Sequence, residues 1–247
     1  ALGLALVVLA GCGDDTPRAE FTFVSGAAHN TLDPQRMSWS QDIRLVSQLY
    51  SPLVEYDFDE GEAQPATAKA WTVSDDRRTY TFHLREDAKW SNGDPVTAQD
   101  YIYAWRRALL PSLSADYSKL LFHIEGAKAF NQWRAQQLEQ FSKIAKQADG
   151  GSASGQGAAR ETWKIAKDRF ADRVGLSAPD KRTLKVTLER PVPYFLQLVA
   201  FPTYFPVHRA SVEKATSLSG GTGRLTMDGG YWTDPDRLVT NGPYRIA

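Results

Sequence analysis

The amino-acid sequence predicts an α/β protein that combines helices with mixed β-sheets. Two stretches alternate apolar and polar residues on both sides of a polar turn, which indicates hairpins with one buried face. Other stretches repeat apolar residues at helical spacing. The chain has 247 residues, of which 42% are hydrophobic and 11% aromatic, and this suffices for one large core or two small ones. Antiparallel hairpins argue against a purely parallel sheet.

A strand, a helix and a hairpin are predicted in the first third of the chain. Residues 20–25 are predicted to form the strand. Residues 41–50 are predicted to form the helix, because apolar residues recur there every three or four positions. In the hairpin, residues 71–74 lead into the polar turn 75–78, and apolar residues alternate over 80–84.

A capped helix is predicted within residues 89–111. Gly93 follows an asparagine and supplies the positive φ of a tight turn. Thr97 and Asp100 have the spacing of a capping box, so the helix should begin directly after the threonine. Pro111 should end it. Taken alone, this pattern indicates an amphipathic helix packed on a sheet and requires no ligand.

The second half contains two predicted helices and a second hairpin. The helices cover residues 124–148 and 160–170, and residues 149–157 between them have the composition of a flexible linker. This linker lacks the Gly-Lys-Ser/Thr ending of a phosphate-binding loop. Residues 174–188 repeat the hairpin design around a polar turn at 179–182.

The amino-terminal residues have the composition of an export signal. Residues 1–10 are apolar and uncharged, but they are too few to span a bilayer, which takes about 20 residues. Residues 1–11 are therefore predicted to be the remnant of a signal peptide with a lipobox, followed by a tether over 12–19. Cys12 would carry the lipid. It is the only cysteine, so no intrachain disulfide is possible, and the alternative is an incidental or buried thiol.

Charge and motif content point away from nucleic acid and from catalysis. The chain has 29 basic and 29 acidic residues, so nothing marks a nucleic-acid surface. The four histidines are scattered without metal-ligand spacing, and no cysteine nucleophile is apparent. The acidic residues within 57–62 are interpreted as a solvated turn rather than a calcium loop. Asp94 and Asp100 could form a glycosidase pair, but Asp100 is assigned to the helix cap. No enzyme, metal or cofactor is predicted.

Five short segments in the same order resemble those of a known family. They are Asn-Thr-Leu-Asp-Pro at 30–34, Thr-Tyr-Thr-Phe-His-Leu-Arg at 79–85, the segment 89–111, Pro-Val-Pro-Tyr-Phe at 191–195 and Asn-Gly-Pro-Tyr at 241–244. Together they resemble the peptide-binding branch of the bacterial extracytoplasmic solute-binding proteins of family 5, the receptors that supply oligopeptide ABC transporters.

This resemblance implies a fold and a division of the chain. The fold would be one lobe of the periplasmic-binding-protein type, type II, cluster C, with a mixed sheet and a smaller α/β subdomain. Residues 20–57 and 175–247 would form the main lobe, and 58–174 the smaller subdomain with a helical insertion. A second lobe would be absent from this chain, which is expected to be the amino-terminal part of the receptor.

The resemblance also implies ligand-binding residues. Ser38, Trp39 and Ser40 follow the Leu-Asp-Pro motif, where family members pair with the backbone of the ligand. Tyr117 matches a tyrosine that faces the ligand, and Phe201 lies where a pocket-lining residue is expected. Each aromatic residue has an alternative role: Trp39 as a core anchor, Tyr117 in the packing of its helix, and Phe201 within the core.

The implied function is peptide capture for import. The receptor would bind extended oligopeptides between two lobes and deliver them to ABC permease and ATPase subunits. It would be an exported monomer, anchored by lipid in a periplasm or at the outer cell surface. The alternatives are dipeptides, cell-wall peptides, nickel chelates or sugars as ligands, or a surface lipoprotein with a signalling or adhesive role and no transport.

Overall fold

The computed structural model describes residues 29–147 and 153–246. The predicted first strand, the signal remnant, the tether and Cys12 lie outside these ranges. Within them, no helix combines the length and the apolar character needed to cross a membrane.

Eight strands and six α-helices make up the described chain. The strands are β1 (Val54–Asp57), β2 (Glu62–Pro65), β3 (Ala68–Val73), β4 (Thr79–Leu84), β5 (Leu176–Asp180), β6 (Thr183–Thr187), β7 (Thr216–Leu218) and β8 (Leu225–Met227). The helices are α1 (Ser40–Leu49), α2 (Ala98–Ala108), α3 (Ala127–Gln147), α4 (Ala153–Arg173), α5 (Phe195–Val199) and α6 (Arg209–Lys214). Short 3-10 helices cover Pro111–Leu113, Ser118–His123, Pro202–Tyr204 and Tyr231–Thr233.

Both predicted hairpins are present and share one sheet. The strand order is β3-β4-β6-β5, and every neighbouring pair is antiparallel. Tyr80, Phe82 and Leu84 of β4 are buried, as their alternation predicts. All strand pairs in the described ranges are antiparallel, so the parallel pairs of a mixed sheet are not observed there.

The pairing of β4 with β6 bears on the division of the chain. This pair joins the two hairpins across the boundary predicted at residues 174 and 175. A cut at that point would separate paired strands, so both hairpins belong to one structural unit. The wider division into a main lobe and a smaller subdomain stays a prediction.

Helix α2 begins where the capping box predicts. The Asp100 carboxylate accepts hydrogen bonds from the Thr97 backbone nitrogen at 2.9 Å and from its hydroxyl at 2.8 Å. Gly93 in the preceding turn has a φ of +90°. The helix buries Tyr101, Ala104 and Trp105 against the sheet. It thereby forms the centre of the hydrophobic core.

The acidic segment is a solvated turn between β1 and β2, as predicted. Asp57 Oδ1 accepts hydrogen bonds from the backbone nitrogens of Asp59 at 2.9 Å and Glu60 at 3.1 Å. In the described part of the chain, no group of histidine, cysteine or acidic residues is arranged to hold a metal ion.

The prediction of a flexible linker over residues 149–157 is wrong for residues 153–157, which are helical. Helix α4 begins at Ala153 and includes Gly155 and Gly157. Contacts with the β7–β8 turn stabilise this glycine-containing stretch. The Gln156 amide donates a hydrogen bond to the Leu218 carbonyl at 3.0 Å, and a Cβ on Gly155 would lie 3.2 Å from the Gly220 carbonyl oxygen. Tertiary contact therefore overrides local propensity.

Candidate functional site

A buried ion pair positions the segment that leads into α1. Arg107 on α2 donates to both carboxylate oxygens of Asp33, at 2.7 and 3.2 Å. The Gln35 amide oxygen accepts a further bond from Arg107 at 2.5 Å, and its nitrogen donates to the Phe205 carbonyl at 2.9 Å. Burial alone would lower the pKa of Arg107, but the Asp33 carboxylate outweighs it, so the pKa is raised. The guanidinium therefore stays charged.

The Asn-Gly-Pro-Tyr motif is bound to the end of α1. Ser51 donates its backbone N–H to the Asn241 amide oxygen at 3.0 Å, and the amide nitrogen donates to the Ser51 carbonyl at 3.2 Å. Gly242 donates to the Leu49 carbonyl at 2.8 Å. A Cβ on Gly242 would lie 2.5 Å from the Leu49 carbonyl carbon, so only glycine fits. Two family-like motifs thus form the framework around α1.

The predicted residues 38–40 lie at the surface, at the start of α1. Trp39 precedes the helix in an extended conformation, with φ −96° and ψ 146°. Its side chain is 62% exposed, so its alternative role as a core anchor is wrong. Ser40 is exposed, and Ser38 is half-buried. Within the described residues, neither the Ser38 backbone nor the Trp39 N–H makes a hydrogen bond.

Tyr117 and Phe201 contact each other. Their ring centroids are 5.0 Å apart at an interplanar angle of 72°, which is an edge-to-face arrangement. Tyr204 links the two segments that carry these rings. Its backbone N–H donates to the Phe201 carbonyl at 2.9 Å, and the Leu120 N–H donates to the Tyr117 carbonyl at 3.0 Å. The Tyr204 hydroxyl donates to the Leu120 carbonyl at 2.7 Å, and the Tyr204 carbonyl accepts a bond from the Trp105 indole at 2.7 Å. Burial raises the pKa of Tyr204 well above its ordinary value, so the hydroxyl stays protonated as a donor.

Asp116 connects the two parts of the candidate site. The Ser38 hydroxyl donates a short hydrogen bond to the Asp116 carboxylate. Because Asp116 directly precedes Tyr117, the structure brings together Ser38, Tyr117 and Phe201, which are far apart in the sequence. Sequence reasoning missed Asp116, which belongs to no motif and whose exposure gives no periodic signal.

A cleft of about 230 Å³ adjoins Ser38 and Trp39. It lies between the segment before α1 and the turn after β8. Its wall includes Asp42 of α1 and Trp232, both of which are buried. The site as a whole offers hydroxyls, aromatic surface and, among the described residues, backbone groups at Ser38 and Trp39 without a hydrogen-bond partner. This chemistry suits the binding of an extended polar ligand.

Comparisons with known proteins agree on one family. The model for bacterial extracellular solute-binding proteins, family 5 (middle), matches residues 62–247. The probable deoxycholate-binding periplasmic protein YgiS of Escherichia coli is 31% identical over 92% of this chain and 34% of its own length. The periplasmic oligopeptide-binding protein OppA of Escherichia coli is 32% identical over 90% of this chain and 32% of its own length.

A solved structure gives the same result for the fold. The substrate-binding domain of an oligopeptide ABC transporter from Bacillus anthracis superposes with a TM-score of 0.64 and 31% identity. The match covers 88% of this chain and 33% of that one. The chain therefore spans about a third of the length of the proteins that it matches.

Proposed function

Because the chain belongs to the bacterial extracellular solute-binding proteins of family 5, we propose that it is part of a receptor that captures extended peptides for an ABC importer. The backbone at Ser38 and Trp39 carries this proposal, because the Ser38 backbone groups and the Trp39 N–H have no hydrogen-bond partner among the described residues. It lies beside the aromatic pair of Tyr117 and Phe201, at the surface of the lobe.

Backbone pairing explains how such a site takes many peptides. The Trp39 carbonyl already accepts a hydrogen bond from the Ile43 N–H at 3.0 Å. An extended ligand can exchange main-chain hydrogen bonds with Ser38 and accept one from the Trp39 N–H, as in the addition of a strand to a sheet edge. These bonds do not depend on ligand side chains. The contact between Ser38 and Asp116 fixes the position of the segment before the ligand arrives, which reduces the entropic cost of binding.

The aromatic pair supplies apolar surface next to this backbone. Tyr117 and Phe201 are each half-buried, so part of each ring is available to a ligand. Tyr204 donates its backbone N–H to the Phe201 carbonyl at 2.9 Å and its hydroxyl to the carbonyl of Leu120, close to Tyr117. Aromatic rings held in this way give large contact area at low entropic cost. The site therefore combines general backbone recognition with an apolar contact.

The complete receptor would close a second lobe over the peptide. This chain spans about a third of its relatives, so the lobe described here supplies one side of the binding site. Hinge closure would bury the peptide, and docking on the permease would follow. An exported monomer anchored through lipid on Cys12 fits this role, and no catalytic step belongs to it. Relatives with the word periplasmic in their names support export.

Native mass spectrometry of the complete natural protein, prepared without Cys12, tests this proposal. The protein is mixed with a random peptide pool, with deoxycholate as a competing ligand. We expect captured peptides of several residues. Peptides that are N-methylated at the paired positions should bind about fivefold more weakly for each methylated position, since each lost hydrogen bond removes roughly 1 kcal/mol.

Two variants localise the site. Tyr117→Ala should weaken peptide binding about tenfold, as expected for the loss of an aromatic contact. The matched control is Phe58→Ala, whose ring is 82% exposed in the turn after β1; it should bind as the unaltered protein does. Failure to capture any peptide contradicts the proposal, and equal binding of methylated peptides contradicts the backbone mode.

A further inference from the structure

The buried carboxylate of Asp42 is only partly satisfied. Its Oδ1 accepts a hydrogen bond from the Asn30 backbone nitrogen at 3.0 Å and lies 3.4 Å from His29 Nδ1. Its Oδ2 has no hydrogen-bond partner in the described residues, although the side chain is fully buried. A buried carboxylate oxygen without a donor costs free energy. Because Asp42 lines a cleft, a group bound in that cleft can supply the hydrogen-bond donor that Oδ2 lacks.

The cleft beside Asp42 has the size of a single side chain. Its volume of about 230 Å³ lies below the roughly 300–1,000 Å³ of pockets that hold drug-sized ligands. Ser38 and Trp39 line the same cleft. A peptide paired with their backbone would therefore direct a neighbouring side chain into it.

The charges around the cleft favour a cationic group. Asp228 is already paired with Arg237 at 2.7 Å, so it contributes little net charge. Arg36 also lines the cleft, but it is exposed, so water screens its charge, whereas Asp42 is buried. The face of Trp39 is available to cover an aliphatic stem or a cation. The unpartnered carboxylate oxygen of Asp42 therefore determines which charge the cleft favours.

We propose that this cleft is a side-chain pocket for an ammonium or guanidinium group of the bound peptide, with Asp42 Oδ2 as its acceptor. The inference rests on the proposed peptide-binding function and adds a preference for lysine or arginine at one position. The pocket would select among peptides that the backbone alone accepts equally.

Paired peptides test this selectivity in the complete protein by isothermal titration calorimetry. One peptide carries lysine at the tested position, and its partner carries norleucine, which has a similar stem without charge. Scanning the position along the peptide finds the one that enters the cleft. There we expect the lysine peptide to bind at least about tenfold more tightly, as for a hydrogen bond between charged groups.

The variant Asp42→Asn should remove this preference, so that the lysine and norleucine peptides bind the variant with affinities within about twofold of each other. The control Asp57→Asn removes a half-buried charge from the end of β1 and should keep the preference. If the unaltered protein binds lysine and norleucine peptides equally at every position, the pocket for a cationic group is contradicted and the proposed function is not. This outcome does not depend on whether the variant folds. A preference that persists in Asp42→Asn also contradicts the pocket. Binding of neither peptide removes the proposed function as well.

Discussion

The buried pair of Asp33 and Arg107 joins α2 to the segment that carries Ser38 and Trp39. The two partners are 74 residues apart in the sequence. Both are almost fully buried, and two hydrogen bonds join them beside those that each makes with Gln35. The pair therefore contributes to stability and to the placement of the candidate site.

Replacing Arg107 with methionine should destabilise the protein by about 3–5 kcal/mol, because Asp33 would remain buried without its partner. Urea denaturation followed by tryptophan fluorescence measures this loss. The control is Arg237→Met, which breaks an exposed pair with Asp228 and should cost at most about 1 kcal/mol. Similar losses in the two variants would contradict the assigned role of the buried pair.

The sequence predicted which residues belong to the candidate site but not which of them are in contact. The family resemblance pointed to Ser38, Tyr117 and Phe201. They are brought together by the hydrogen bond between Ser38 and Asp116, by the ring contact of Tyr117 with Phe201, and by the bond from the Tyr204 hydroxyl to the Leu120 carbonyl. No local pattern encodes such contacts, because each joins segments that are distant along the chain.

Among the elements, those with strong local signals were predictable. The capping box set the start of α2, and alternation set the strands of both hairpins. The start of α4 was not predictable, because glycines lower helix propensity there. The β7–β8 turn compensates through contacts with Gly155 and Gln156. Local patterns thus predict an element unless a distant contact outweighs them.

Two glycine-to-alanine substitutions should have opposite effects. Gly126 has a φ of +70°, and an added Cβ would lie 1.8 Å from the Arg173 carbonyl oxygen. Gly126→Ala should therefore cost roughly 2–4 kcal/mol, since backbone strain and overpacking add. Gly157 lies inside α4 with no atom within 4 Å of its would-be Cβ. Gly157→Ala should stabilise the protein by about 0.5–1 kcal/mol.

Thermal unfolding of the two variants side by side checks this pair of predictions. A rise in the melting temperature for Gly126→Ala would contradict the close approach of α3 to the end of α4. A loss for Gly157→Ala would contradict the helical start of α4.

The whole molecule buries several tyrosines, and this predicts its behaviour at high pH. Burial raises the pKa of Tyr103 to about 12, and it also raises those of Tyr50, Tyr101 and Tyr204. In the unfolded chain these hydroxyls ionise near pH ~10. The folded state therefore holds more protons above that pH, and stability falls as the pH rises.

We expect full stability below pH ~10 and a progressive loss toward pH 12. Tyr103 alone accounts for about 3 kcal/mol, from a shift of roughly two pKa units. Arg134 acts in the opposite direction, because burial lowers its pKa to about 10 and deprotonation relieves that cost. The four buried tyrosines outweigh this single arginine, so stability still falls as the pH rises. Melting temperatures between pH 8 and 11.5, with tyrosinate absorbance, check this fall of stability with pH. The melting temperature should fall less steeply with pH in Tyr103→Phe, and a melting temperature independent of pH would contradict the prediction.

The union of β4 with β6 also has a consequence for the order of folding. Arg78 at the start of β4 donates to the Leu188 carbonyl after β6, across 110 positions of sequence. Each hairpin can form early from neighbouring residues, but their union must wait until this long loop closes. The free-energy cost of closing the loop grows only slowly, by about 0.6 kcal/mol for each doubling of loop length. The helical hairpin of α3 and α4 can therefore lengthen or shorten over evolution with little penalty to the sheet.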